Sequence, residues 1–319
     1  MNSTSKNKQS GVALITAVLI VALAVVASVS IAESYELNFR RTITAFNSGQ
    51  AWSYAKGAEE WAKAILARDQ KDNTYDAYDV DNSWWNNGQP LVFPLPDGYI
   101  EGKLEDAQGK LNVNALISGN KVDPKIYKRF ERLFNSLGID PALVGAIKDW
   151  IDVDQEFTGS GGAEADIYIG LEPPYLPADQ LMEDISELRL VHGVDEDIYN
   201  QLLPHVTALP ADTPLNLNTA SALVLESLDE NIPPGVGEEL VSDRNDKPFK
   251  QPNDFVSHPS LKNIVTLKNS INDGPVGVGS DYFLLNTKCV IGDSQVKMVS
   301  MIKRGKGNNL NIVKRSQKL

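Results

Sequence analysis

The chain has 319 residues, enough for one large domain or two ordinary ones. Its formal charge is −12 with 42% hydrophobic residues, which argues against a general nucleic-acid binder and suits calcium binding or simple solubility. A single cysteine, Cys289, rules out an internal disulfide, and the scattered His192, His205 and His258 argue against a zinc site or a Cys-His nucleophile.

The first element is apolar. Residues Gln9 to Ala32 are 24 in a row without charge, preceded by Lys6 and Lys8 and followed by Glu33 and Glu36. At about 1.5 Å per residue they span roughly 36 Å, enough to cross a bilayer core. The flanking charges predict a cytoplasmic N-terminus with the body outside. The triplet Ser30-Ile31-Ala32 keeps secretory cleavage before Glu33 open as an alternative, which would make the chain a periplasmic enzyme. Beyond the span, Tyr35, Phe39, Ile43, Phe46, Tyr54, Ala58, Trp61 and Ile65 recur at helical steps, and no proline occurs before residue 69. One rod from Val12 to Asp69 is expected, its outer stripe covered by a sheet.

Residues 70–97 read as a polar loop with aromatics at Trp84-Trp85. Residues 98–116 read as two strands about a turn at Ala107 to Lys110. Residues 281–305 read as a hairpin turning at Gly292-Asp293, with a last strand over 310–315. Between these strands the pattern is helical. "PKIYKRFERLFNSLG" carries one apolar face and a Gly138 stop, and "DPALVGAIKDWID" offers Asp140 as N-cap and Pro141 at the first helical position. The expected fold is α+β, a long N-terminal helix on a small antiparallel sheet, with a large all-helical insert.

Two constellations stand out in the insert. "DWIDVDQEFTGSGGAEADIYIG" places Asp149, Asp152, Asp154, Glu156, Glu164 and Asp166 around a glycine-rich loop. Hard oxygens on a flexible loop suit Ca2+, although an EF-hand is excluded by Phe157 at its sixth position. A solvated acidic loop is the plain alternative, and paired carboxylates for glycoside hydrolysis lack a supporting group. The second, residues 214–255, resembles the helix-hairpin-helix (SAM-like) repeat of DNA-binding competence proteins, with Asn218-Thr219-Ala220 before a helix and Gly235-Val236-Gly237 as the hairpin. Glu238 and Glu239 follow that hairpin where DNA binders carry bases, so the module reads as a protein contact. A membrane-anchored DNA-binding protein is kept as the alternative function.

These motifs in their order resemble the K-type minor pseudopilins of type II secretion systems. The resemblance rests on "GVALITAVLIVALA" (11–24), "QAWSYAKGAEEWA" (50–62), "EDAQGKLNVNAL" (105–116), "DWIDVD" (149–154), "GAEADIY" (162–168), "ISELRLV" (185–191) and "LLPHVTALP" joined to "PLNLNTAS". It implies a leader over 1–11, cut after Gly11 by a prepilin peptidase, and a methylated Val12. It implies a membrane and pilus-core helix over 12–32, a pseudopilin α/β part over 33–119, a helical insert over 120–278 and a closing β part over 279–319. Thr16 stands at mature position five, where most pilins carry Glu, which fits a subunit at the pilus tip. The implied protein is non-enzymatic, anchored once in the bacterial inner membrane with a periplasmic body. It would cap or initiate a pseudopilus with I- and J-type minor pseudopilins, contact the secretin or cargo, support export of folded proteins, and bind no nucleic acid. The resemblance also implies Ca2+ in the insert, at Asp152, Asp154, Glu164 and Asp166, with Asp184 a further candidate.

Overall fold

The computed structural model describes residues 9–72, 74–78, 89–119, 121–272, 274–305 and 309–318. The first eight residues of the leader, with Lys6 and Lys8, and the Trp84-Trp85 stretch lie outside them. Helix α1 (Gln9–Asp72) is one rod of 64 residues, as its lack of proline predicts. From Val12 to Phe46 it is exposed throughout. The buried stripe is Ala51, Ala55, Glu59, Ala62, Leu66 and Asp69, at steps of three or four. This corrects the expected stripe: Tyr35 and Phe46 are 72% and 70% exposed, while Tyr54, Ala58 and Ile65 only flank the contact. Alanines let the helix backbone approach the sheet closely, and the larger side chains are turned aside.

Next come β1 (Leu91–Leu95) and β2 (Gly98–Asp106), then the insert. The insert opens with short strands β3 (Leu111–Asn112), β4 (Ile117–Ser118) and β5 (Lys121–Val122). Helices α2 (Pro124–Leu137), α3 (Leu143–Ile151), α4 (Ala165–Ile169) and α5 (Glu196–Leu202) follow. After β6 (Val206–Thr207) and β7 (Leu215–Asn216) come α6 (Ala222–Ser227), α7 (Val236–Asp246), α8 (Pro252–Val256) and α9 (Leu267–Asn272). β8 (Val276–Gly277) leads back to β9 (Tyr282–Ile291), β10 (Ser294–Arg304) and β11 (Leu310–Lys318).

The main sheet is antiparallel in the order β1-β2-β9-β10-β11. β9 and β10 join through the expected Gly292-Asp293 turn, with Gly292 at φ 52. Two expectations are corrected. Strand β1 lies within the presumed loop, at the sheet edge where its Pro94 costs no ladder bond. Residues 98–116 are no hairpin: a 3₁₀ turn over Ala107–Gly109 diverts the chain, and β3 pairs in parallel with β6. The insert is likewise not purely helical, since parallel bridges β3–β6 and β7–β8 tie its start, middle and end. Helix α2 stops at the expected Gly138, left-handed at φ 71, and begins with Asp123 as N-cap and Pro124 in its first turn. The regular part of α3 begins at Leu143, later than expected, after a turn in which Asp140 Oδ1 accepts the Ala142 N–H.

Among the described residues the apolar side chains form two main regions, with a small third that packs Leu209 of the insert on Ala107, Tyr282 and Met301. Under the stem, Ala51 and Ala55 meet Cys289, Ile291 and Val296, while Ala62 and Leu66 meet Phe283 and Ile302. The insert has its own core around Phe130, Phe134, Trp150, Tyr168, Leu225 and Phe255. It leaves the sheet where the Asp106 end of β2 pairs with the Phe283 end of β9. That is the Leu66 end of the stem, the end away from the apolar span. The junction is polar: Asp106 Oδ2 accepts from Asn216 Nδ2 (2.8 Å), Thr219 Oγ1 (2.6 Å) and Ser280 Oγ (2.6 Å).

Charges also pin the stem. Arg315 donates to both Glu59 oxygens at 2.7 and 2.6 Å, and Ser300 Oγ donates to Oε1 at 2.6 Å. Burial would raise the Glu59 carboxyl, but these bonds outweigh it and hold the group below its ordinary range. Removing the cation leaves a carboxylate in the stem–sheet contact with only a hydroxyl. Arg315→Ala should therefore cost about 2–3 kcal/mol in denaturant melts of the detergent-solubilised chain, and adding Glu59→Gln should recover part of it.

Burial pushes Asp106 up to about 6 despite its donors, with Asp76 adding to the rise. A carboxyl raised in the fold stabilises most below its unfolded pKa and loses that contribution as pH rises through about 6. The stability of the chain relative to its Asp106→Asn variant should accordingly shrink between pH 4 and pH 7, by up to about 3 kcal/mol. Paired melts across that range measure it; a constant difference would contradict the assignment.

Candidate metal centre and helix-pair module

Helix α3 carries Lys148 and Asp149 and ends at Asp152, its C-cap. The chain then loops out and returns at Glu164, the N-cap of α4. Asp149 closes this loop, because its Oδ2 accepts the N–H groups of Thr158 (3.0 Å) and Ala163 (2.9 Å). The glycines are required by proximity: a side chain at Gly145 would meet the Thr158 carbonyl, and one at Gly162 would meet Asp149 Oδ2. Trp150, Tyr168 and Tyr175 pack together beneath, ring centroids 5.3–6.4 Å apart.

The loop thereby brings Asp149, Asp152 and Glu164 together, with one carboxylate oxygen of each within 4.8 Å of the others. All three are buried, and Asp149 is 0% exposed. Asp149 Oδ1, Asp152 Oδ1 and both Glu164 oxygens have no hydrogen-bond donor. The cation at hand is Lys148, whose ammonium contacts Asp152 Oδ2 and lies 3.4 Å from Asp149 Oδ1 and 3.9 Å from Asp154 Oδ1. Burial, reinforced by Asp149 and Asp152, pushes Glu164 up to about 7. Burial also drives Asp152 upward, beyond what the Lys148 contact offsets. Burial opposes the Lys148 charge, yet its carboxylate neighbours hold it above the ordinary lysine value. Buried acceptors without donors fit a hard cation with oxygen ligands. Two oxygens on one ion at about 2.4 Å each lie no more than about 4.8 Å apart, which the cluster satisfies.

The candidates fall out unequally. Asp152 and Glu164 are central. Asp154 stands at the rim, 55% exposed, its Oδ1 accepting the Glu156 N–H. Asp166 is exposed in the first turn of α4 and is not in the trio. Asp184 is a correction. It caps the 3₁₀ helix Ile185–Leu190, with Glu187 completing a capping box, and its carboxylate pairs with Lys314 of β11. Asp149 was absent from the implied ligand set, although "KDWID" holds it. Its role depends on the returning loop, which local pattern does not show. A cleft of about 450 Å³ beside the cluster is lined by Asp152, Asp154 and Asp179, and Asp179 Oδ1 also lacks a donor.

The second constellation forms a helix pair, α6 and α7, with Ser221 as N-cap of α6 and Gly235 left-handed at φ 89 before α7. A side chain at Gly237 would strike the Ala222 backbone, so the helices are in close contact. The amides that would meet a phosphate are already taken: Glu226 Oε1 accepts the N–H groups of Gly235 (2.8 Å) and Gly237 (2.9 Å). An acid there leaves the DNA-binding alternative without support.

At the other end of the chain, Gly11 and Val12 lie in the first turns of α1. Thr16 Oγ1 bonds back to the Val12 and Ala13 carbonyls at 3.1 and 3.0 Å, satisfied within its own helix. The apolar part of α1 is long enough to cross a membrane, and none of its most apolar stretch is buried.

The comparisons point to one family. A family model described as "Type II secretion system (T2SS), protein K" matches residues 109–211, and a second of the same description matches 215–273. The type II secretion system protein K of Pseudomonas aeruginosa is 35% identical, over 96% of this chain and 92% of that protein. That of Aeromonas hydrophila is 32% identical, over 98% of each. Among solved structures, a chain in the crystal structure of the GspK-GspI-GspJ complex from the enterotoxigenic Escherichia coli type 2 secretion system superposes with a TM-score of 0.76 at 25% identity, covering 88% of this chain and 99% of that one. With a membrane-length helix running into the sheet and relatives alike from end to end, this chain belongs to the protein K family of type II secretion systems.

Proposed function

We propose that this minor pseudopilin caps the tip of the type II secretion pseudopilus. The observation that carries the reading is the position of the insert. It leaves the sheet at the Leu66 end of the stem, away from the apolar span that packs in the pilus or membrane. A bulky, separately cored unit there blocks a further subunit from adding above. Thr16 supports the same placement. Its hydroxyl is satisfied within α1, whereas a buried Glu at that position needs a partner from a neighbouring subunit. By likeness to the GspK-GspI-GspJ complex, the partners are I- and J-type minor pseudopilins. The role is structural and non-enzymatic: it supports export of folded proteins, with secretin or cargo at the tip.

The apolar part of α1 crosses the inner membrane once, with Lys6 and Lys8 on the cytoplasmic side and the body in the periplasm. A prepilin peptidase cuts after Gly11 and Val12 becomes the methylated first residue. The unbroken rod supports this, since removal at Glu33 would take away the whole apolar part of the helix, whereas a cut after Gly11 trims only its first turn. Intact-mass analysis of the chain expressed with and without prepilin peptidase should give a methylated Val12 start only with the enzyme. A Glu33 start would overturn the reading.

In the insert, Asp149, Asp152 and Glu164 hold one calcium ion, with Asp154 at the rim able to join them. The ion supplies the positive charge that the unpaired oxygens lack, and so ties α3 to the loop before α4. EDTA should lower the melting temperature and Ca2+ should restore it; at about a hundred times Kd the gain is about 2.7 kcal/mol. Glu164→Gln with Asp149→Asn should abolish the calcium-dependent shift. A shift that survives in the double variant would place the ion elsewhere.

A further inference from the structure

The Lys148 side chain is 7% exposed, and it enters the acidic cluster from the same helix that supplies Asp149 and Asp152. Asp149 has one oxygen left for a ligand, because Oδ2 is committed to the Thr158 and Ala163 amides. That remaining oxygen, Oδ1, is the one facing the Lys148 ammonium at 3.4 Å. The ammonium also contacts Asp152 Oδ2. An ion binding Asp149 must therefore approach the very atom that the ammonium faces, with Asp152 beside it, and two cations within a few ångströms repel strongly in a buried site. The lysine has somewhere to go. Asp154, 55% exposed at the rim, already lies 3.9 Å from Nζ, and the four-carbon stem can swing the charge toward it.

We propose that Lys148 is a built-in counter-cation that competes with calcium for the cluster and sets its affinity. The inference rests on the calcium reading above. Without the ion, the ammonium neutralises part of the buried charge and keeps α3 and its loop together. When calcium arrives, the ammonium yields its place beside Asp149 and moves out to Asp154. The lysine thus weakens binding and stabilises the ion-free fold together, a pair of effects that ordinary packing would not produce.

The test compares the full-length chain in detergent with its Lys148→Met variant, with Ca2+ titrated in chelator-buffered solution. Calorimetry reads the affinity, and thermal melts in EDTA read the ion-free fold. The variant should bind Ca2+ about tenfold more tightly or better, and should melt at lower temperature in EDTA. A folded variant whose affinity is unchanged or weaker, while the unaltered chain binds, overturns the role of Lys148 and leaves the calcium reading standing. Silence to Ca2+ in both chains overturns both. Should the variant not fold, amine labelling of the unaltered chain decides. Modification at Lys148, located by peptide mass, should rise when Ca2+ is added; constant labelling rejects the displacement.

Discussion

A helix that must keep half its length free for lipid or neighbouring subunits can lay only a narrow stripe of the other half on its own sheet. That constraint shapes the pseudopilin core. Half of the contact stripe is alanine, so apolar area alone holds the stem weakly, and buried carboxylates at Glu59 and Asp69 add directional bonds. Each needs a cation from the sheet, which places Arg315 on β11 and Arg304 at the end of β10. Arg304 does more than pair with Asp69. Its Nη1 donates to both Asp76 oxygens at 2.9 Å and to the Ser280 carbonyl at 3.0 Å, and its guanidinium lies 4.7 Å from the Phe283 ring centroid. One side chain therefore gathers the stem, the segment after it and the start of β9.

Asp76 passes the connection on. It also accepts the Ser280 N–H, while Asn216 of the insert donates to the Asp76 carbonyl and to Asp106. The stem, sheet and insert meet in this one polar network at the end of the stem opposite the apolar span. The insert's main core is separate from that under the stem, so its orientation is set by these directional hydrogen bonds together with a small apolar contact of Leu209 on Tyr282.

Features written in adjacent residues could be read from the sequence. The unbroken α1 follows from the absence of proline, the β9–β10 turn from Gly292-Asp293, and the end of α2 from Gly138. The stem's contact face could not. Ala51, Ala55 and Ala62 carry a weak hydropathy signal beside Trp61 and Phe46, and the sheet that selects them lies more than two hundred residues along the chain. Strand β1 was hidden by Pro94 and by its polar surroundings. In the acidic loop, the residue types pointed to a hard cation, but membership of the cluster is a tertiary matter. Asp149 enters because Thr158 and Ala163 fold back onto it. Asp184 leaves because its D-x-x-E spacing to Glu187 serves a helix cap. That spacing is a local signal, and it was legible.

The two acidic constellations show how one chemistry takes different roles according to its donors. At Gly235 and Gly237, Glu226 meets backbone amides and is satisfied; the carboxylate has become part of the scaffold, filling the place a phosphate would need. At Asp149, one oxygen is satisfied in the same way and the other is not, and Glu164 finds no donor at all. The difference lies in the supply of N–H groups: the turn before α7 aims two amides at a single oxygen, whereas the loop before α4 spends its amides on Asp149 and leaves its neighbours facing each other. A buried group of like charges that the backbone cannot satisfy must take up protons, as the raised Glu164 does, or be met by a positive charge. The chain offers its own in Lys148 and leaves room for an ion in its place. On the calcium reading proposed above, the loop's geometry is tied to which cation sits in it.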